Sequence, residues 1–166
     1  MKKFIKEIYP YLIVLVIVIL VKQFIVSPIQ VNGDSMYDTL YNNDIMILNK
    51  LAYKFNDIER FDIVVINYEG RHLIKRVIGL PGDKIKIEDN KLYINDEYVE
   101  EPYLSSFTIT ENYELSTVIP TNYYFVLGDN RSVSLDSRSL GLFSKNQIEG
   151  KANLTIFPFG RFGFKE

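Results

Sequence analysis

No cysteine occurs among the 166 residues, and histidine occurs once, as His72. The missing cysteine excludes a disulfide framework, a thiolate nucleophile and a cysteine metal site. It also suits a chain that works outside the cytoplasm. A single imidazole rules out zinc enzymes of the HExxH type and any site needing two histidines. Excess charge is scarce as well, with a net value of −2. That small number hides an asymmetry. Residues 1–26 carry +3, from Lys2, Lys3, Lys6 and Lys22 against Glu7, and the remainder carries −5. A mildly acidic main portion is a poor candidate for nucleic-acid binding. Long helical periodicity is missing beyond the N-terminus, and there is no internal repeat or low-complexity linker. What is present is 47% apolar and 14% aromatic residues, enough for one packed core in a chain of single-domain length.

The one long hydrophobic run is "YLIVLVIVILV", residues 11–21. As helix it covers only about 16 Å. Extended from Ile8 to Val26 it approaches the roughly 20 residues that cross a bilayer. Pro10 sits near the start, where a helix tolerates it, and Lys22 lies near the end, where it reaches headgroups. A cleavable secretory signal competes with this reading, but "KQFIVSPIQV" offers no small-x-small processing site. The expectation is an uncleaved anchor over residues 1–27. Lys2, Lys3 and Lys6 favour a cytoplasmic N-terminus, with residues 28–166 facing outward.

Beyond residue 40 the pattern is strand-like. Short segments rich in Ile, Val, Tyr and Phe recur at 44–50, 61–68, 72–79, 83–89, 91–99, 122–129 and 150–157. Turn-forming "YEG", "LPGD" and "EDNK" separate several of them. Lys84, Lys86 and Glu88 alternate with Ile85 and Ile87, a half-buried period of two. "NKLAYKFND" (49–57) accommodates a helical turn, and residues 100–121 read as an excursion between strands. The expected fold is mainly β: a coiled or partly closed antiparallel sheet with one N-terminal transmembrane helix.

Candidates for chemistry are few. Ser35, in "VNGDSMYDTL", lies just beyond the apolar run, with no evident histidine partner. "LIKRVIG" places Lys75 and Arg76 among apolar residues. Two strand cations, one to each face and both reaching solvent, are the ordinary reading, since lysine is rarely buried. The alternative is a Ser–Lys dyad. Burial lowers a lysine pKa from about 10.4 by disfavouring the ammonium, and a neutral amine then takes the proton of an attacking serine. "GDNRSVSLDSR" (128–138) follows a core strand and is either a polar loop or a third part of a site. Asp136 and Arg138, two apart, are placed to pair.

In this order, "GDSMYDTL", "KRVIGLPGD" and "GDNRSVSLDSR" behind an N-terminal anchor resemble bacterial type I signal peptidase, in its short Gram-positive form. "FDIVVI" resembles a further stretch of that family, and the likeness covers nearly all of residues 1–160. The resemblance implies a Ser–Lys serine endopeptidase that removes signal peptides from secretory preproteins after small-x-small sites, at the outer face of the bacterial cytoplasmic membrane. It implies Ser35 as nucleophile, Lys75 as general base and Ser134 as the hydroxyl orienting the lysine. The Ser35 amide is one oxyanion donor. Gly33 stands at the second donor's position, where other members carry serine, so a backbone or water substitute is expected there. Met36 matches a residue beside the cleavage-site pockets. Asp129, Arg131, Asp136, Arg138 and Arg76 match a charged framework, with Asp136–Arg138 and Asp129–Arg76 pairs expected.

Residues around Ser27–Val31, Met36 and the strand before Lys75 are the expected pocket walls. Substrate would add as an extended strand. Departures from the family are Asp38 for Pro, Phe61 for Gly and Val133 for Asn. No metal, nucleotide or other cofactor is needed, the lipid bilayer is an expected partner beside the preproteins, and nothing demands more than a monomer. A catalytically inactive, membrane-tethered binding module is the alternative from another class. A self-cleaving Ser–Lys repressor would need a DNA-binding N-terminus, which residues 1–26 are too apolar to be. The exposed-looking tail "IFPFGRFGF" (156–164) suits either the membrane surface or core packing.

Overall fold

The computed structural model describes the backbone of residues 2–165 and side chains from Ile8 onward. Helix α1 (Lys2–Phe24) contains Pro10 in its interior and runs directly into β1 (Val26–Gln30). The expected span 8–26 is therefore cut short, because Val26 already pairs in a sheet, opposite Asn49. From Ile8 to Phe24 there are 17 helical residues. Among the described residues no helix is long and apolar enough to cross a membrane. Lys2, Lys3 and Lys6, on which the expected orientation rests, lie outside the described side chains.

The rest of the chain is mainly antiparallel sheet. The strands are β2 (Ile45–Asn49), β3 (Ile63–Tyr68), β4 (Arg71–Gly79), β5 (Ile85–Glu88), β6 (Lys91–Ile94), β7 (Glu97–Val99), β8 (Tyr113–Glu114), β9 (Tyr123–Leu127), β10 (Phe143–Ser144), β11 (Ile148–Phe157) and β12 (Gly163–Phe164). Two short helices, α2 (Ala52–Phe55) and α3 (Ser137–Leu140), interrupt them. One sheet runs β1-β2-β11-β3-β4-β9-β10, with β12 alongside β11, and a smaller one runs β7-β6-β5-β8. Segment 91–99, expected as one strand, is two. Asn95 and Asp96 take positive φ between β6 and β7, as Asp89 and Asn90 do between β5 and β6. Two successive positive-φ residues make the turn whose twist suits a tight hairpin. The excursion 100–121 contributes only β8.

The run "IVVI" in β3 is apolar at every position because both faces are covered. Ile63 and Val65 pack with Val31, Met36, Leu40, Met46, Leu48 and Ile74. Val64 and Ile66 pack on the other side, with Val77, Val126 and Phe143. A third cluster, around Ile78, Ile87, Leu92 and Phe125, joins the two sheets. β4 is thereby held from both sides, which fixes the position of Lys75 and Arg76.

Candidate active site

Successive side chains on a strand point to opposite faces, so Lys75 and Arg76 diverge. Neither reaches solvent: Lys75 is 3% exposed and Arg76 0%. Lys75 Nζ lies 2.6 Å from Ser35 Oγ. Burial lowers the Lys75 pKa to about 8, against the opposing pull of the Asp136 and Asp129 carboxylates. Ser35 is presented by a turn-rich segment pinned into the core by Met36 and Leu40. The amides of Thr39 and Leu40 both donate to the Met36 carbonyl. From the far side, the Asn130 amide donates to the Ser35 carbonyl over 3.0 Å.

Arg76 donates from Nε and Nη2 to the two oxygens of Asp129, at 3.0 and 2.7 Å, and from Nη1 to the Phe61 carbonyl. Its guanidinium also lies 3.9 Å over the Tyr103 ring. Thr39 Oγ1 donates to Asp129 as well. Arg138 donates to both oxygens of Asp136. Burial pushes the Asp136 carboxyl up, but the Arg138 guanidinium, the Ser134 hydroxyl and the Gly128 amide outweigh it and hold the pKa below the usual range. Arg131, buried, binds Glu101, the Thr110 hydroxyl and the Gly128 carbonyl. These pairs tie residues 128–138 to β4, to the Ser35 segment and to the excursion.

Other expected positions come out differently. Ser134 Oγ is buried and makes no hydrogen bond to Lys75; its hydroxyl lies against the Asp136 carboxylate instead and helps to hold that group's pKa down. The Gly33 amide donates to Asn42 Oδ1 over 3.0 Å and is not free to serve as an oxyanion donor. The Ser35 amide, by contrast, donates to no group among the described residues. Met36 is 1% exposed and sits beneath the surface as core. His72 carries its ring on the face opposite Lys75, three residues away, with Nδ1 3.2 Å from Glu149.

Gly128 was part of a quoted motif without a role of its own. A Cβ there would collide with Ser134 Oγ and with the Ser35 carbonyl. Only glycine lets β9 end between the two serines. No local pattern reveals this, because the clash involves residues far apart in the chain.

A groove of about 890 Å³, lined by Ser27–Gln30 of β1, Leu48, and Arg71–Leu73 of β4, reaches the Ser35 segment at Asn32. β1 pairs only with β2, and β4 pairs with β9 only from Arg76 onward. Two free sheet edges therefore face the groove.

The chain matches the family model described as "Signal peptidase, peptidase S26" over residues 2–157. It is 40% identical over 158 residues to signal peptidase I S of Bacillus subtilis (strain 168), covering 89% of this chain and 85% of the relative. It is 35% identical over 180 residues to signal peptidase IB of Staphylococcus aureus (strain MRSA252), covering 98% and 94%. A crystal structure of a signal peptidase I from Enterococcus faecalis V583 superposes with a TM-score of 0.53 at 34% identity, covering 58% of this chain and 97% of that one.

Proposed function

Because this chain belongs to the signal peptidase family, peptidase S26, and is a serine endopeptidase, we propose that Ser35 and Lys75 are its catalytic dyad and that it cleaves exported preproteins after small-x-small sites. The 2.6 Å contact between Lys75 Nζ and Ser35 Oγ, inside the core, carries this reading. The neutral amine takes the Ser35 proton as Oγ attacks the scissile carbonyl. The resulting ammonium returns that proton to the leaving amine. The amine, neutral again, then activates the water that releases the acyl group. The Ser35 amide stabilises the oxyanion. With the Gly33 amide engaged by Asn42, the second donor is a water. Ser134, which in this structure lies against Asp136 rather than bonding Lys75, is the hydroxyl that orients Lys75 in this reading.

Substrate enters as an extended segment between the free edges of β1 and β4. Its alternate side chains meet a shallow wall, because Val31, Met36 and Ile74 lie close-packed beneath it. Only small side chains fit above a filled core, which accounts for small residues at −1 and −3. Met36 thus shapes the cleavage-site pocket from below.

The part of α1 with described side chains, Ile8–Phe24, does not suffice to cross a bilayer; with residues 2–7 added, the helix serves as the anchor in the bacterial cytoplasmic membrane, with residues 1–27 as cytoplasmic start and single-pass anchor and 28–166 as the outward catalytic domain. Two features support this. Side chains from Tyr9 to Leu20 stand exposed along the helix, and its 23 backbone residues reach about 34 Å. Phe159, Phe162 and Phe164 of the tail are exposed too, in keeping with a lipid-facing rim. The test is cleavage of a preprotein with an Ala-x-Ala site in lipid, by wild type, Ser35→Ala, Lys75→Ala and His72→Ala. Loss confined to the first two variants is the expected result. A folded wild type that cleaves nothing sinks the proposal and leaves a tethered binding module.

A further inference from the structure

Next to the Ser35 segment lies a second depression, of about 280 Å³, with Tyr37, Asp38, Phe107, Ile109, Asn130 and Ser132 in its walls, and the amide of Asn130 donates to the Ser35 carbonyl. The two hollows meet the same short segment from opposite ends. The groove reaches it at Asn32 and the depression at Tyr37, with Ser35 between. The depression also holds the most exposed apolar residues near the nucleophile: Phe107 is 90% exposed and Ile109 75%. Apolar side chains standing in water beside a catalytic serine indicate a contact surface.

The loop that carries them is fixed rather than loose. The Asn90 side chain donates to the Thr108 carbonyl and accepts from the Thr110 amide. Arg131 then bridges Thr110 Oγ1 and the Gly128 carbonyl, over 3.2 and 3.1 Å. Phe107 and Ile109 are thereby coupled to the loop whose Asn130 amide holds the Ser35 carbonyl. Charge in the hollow is one-sided. Asp38 is exposed, whereas the Arg131 guanidinium is buried and committed to Glu101.

We propose that this depression binds the first residues of the mature chain, those just beyond the scissile bond, and that it favours an apolar side chain and disfavours an acidic one. The inference rests on the peptidase reading above. A segment that fills the groove up to Ser35 has to leave past Tyr37, and Phe107 and Ile109 then cover an apolar side chain while Asp38 repels a carboxylate.

The test uses the full-length enzyme in lipid and three preproteins with one signal peptide and one Ala-x-Ala site. They differ only at the second and third mature residues: Ser-Ser, Phe-Phe or Glu-Glu. In wild type the Phe-Phe substrate should show kcat/KM about fivefold above Ser-Ser, the modest gain of a half-open apolar site. Phe107→Ala/Ile109→Ala should abolish that gain, bringing the Phe-Phe rate to the variant's own Ser-Ser rate, and Asp38→Asn should raise the Glu-Glu rate relative to Ser-Ser. Both apolar side chains are exposed, so their loss does not unfold the domain. Equal rates on all three substrates in wild type, or a Phe-Phe preference that survives in the double variant, overturn the proposal while the peptidase reading stands. If wild type cleaves none of the three, both fall together.

Discussion

Arg76 and Asp129 meet in a two-pronged ion pair with both side chains sealed from water. Removing one partner from such a pair leaves the other charge buried without compensation. Asp129→Ala should cost roughly 3–5 kcal/mol of stability. Arg76→Met/Asp129→Leu, which removes both charges, should lose much less. Urea unfolding of the two variants checks this, and equal losses would show that the pair's geometry rather than its charge matters.

With Lys75 as the proposed base, activity is tied to pH. Its pKa is lowered to about 8, and only the neutral amine accepts a proton. The kcat/KM should therefore rise with pH and reach half its plateau near pH 8. Lys75→Arg, which cannot deprotonate, should be inactive throughout. A flat profile between pH 6 and 9 would exclude Lys75 as the base.

The same shift acts on stability with a defined sign. Between pH 8 and about 10.4 the unfolded lysine binds a proton that the folded one has lost. Stability attributable to this group therefore rises with pH across that window and is lowest below it. Lys75→Met should be more stable than wild type at pH 7, by up to about 3 kcal/mol, and the advantage should shrink by pH 10. Thermal unfolding at the two pH values reads this difference.

Ser134→Ala separates activity from stability. The hydroxyl is buried against Asp136, which keeps its Arg138 and Gly128 partners when the hydroxyl is removed. Unfolding free energy should fall by only about 0.5–1.5 kcal/mol, while kcat falls at least about tenfold if the hydroxyl orients the amine. Unchanged kcat would remove Ser134 from the mechanism.

Glycine substitutions should behave differently at two positions close to Ser35. Gly128→Ala forces a methyl against Ser134 and the Ser35 carbonyl, so activity should collapse together with about 1–3 kcal/mol of stability. Gly33→Ala meets no atom, but its φ of +87° is strained for alanine. It should cost about 1 kcal/mol and leave kcat nearly intact. Parallel kinetics and melts distinguish the two.

The β character, the positions of most strands and the Asp136–Arg138 pair were legible in the sequence, because they rest on local signals, whereas the Asp129–Arg76 pair, 53 residues apart, was expected only from the family resemblance. Alternation around Ile85 and Ile87 reports a half-buried strand, and a two-residue spacing lets Asp136 reach Arg138. What was not legible depends on distant partners. Asn42 takes up the Gly33 amide across nine residues, and β1 appears only when Val26 finds Asn49. Met36 looked like a surface residue of the pocket, but the neighbours that cover it come from β2, β3 and β4. The exposure of Phe107 and Ile109 was equally hidden, since an aromatic in an irregular excursion reads as core until the fold leaves it uncovered.

The gap between the free edges of β1 and β4 also has a bearing on solubility. An edge that accepts one extended chain by backbone hydrogen bonds will accept others, including a second copy of itself, and stacking of such edges is how sheets aggregate. Lys50, Arg71 and Glu149 stand around this opening. Like-signed lysine and arginine from two facing copies would repel, with Glu149 offsetting part of that charge, so the rim resists pairing with the enzyme's own edge. Neutralising Lys50 and Arg71 would then turn this groove into a point of self-association.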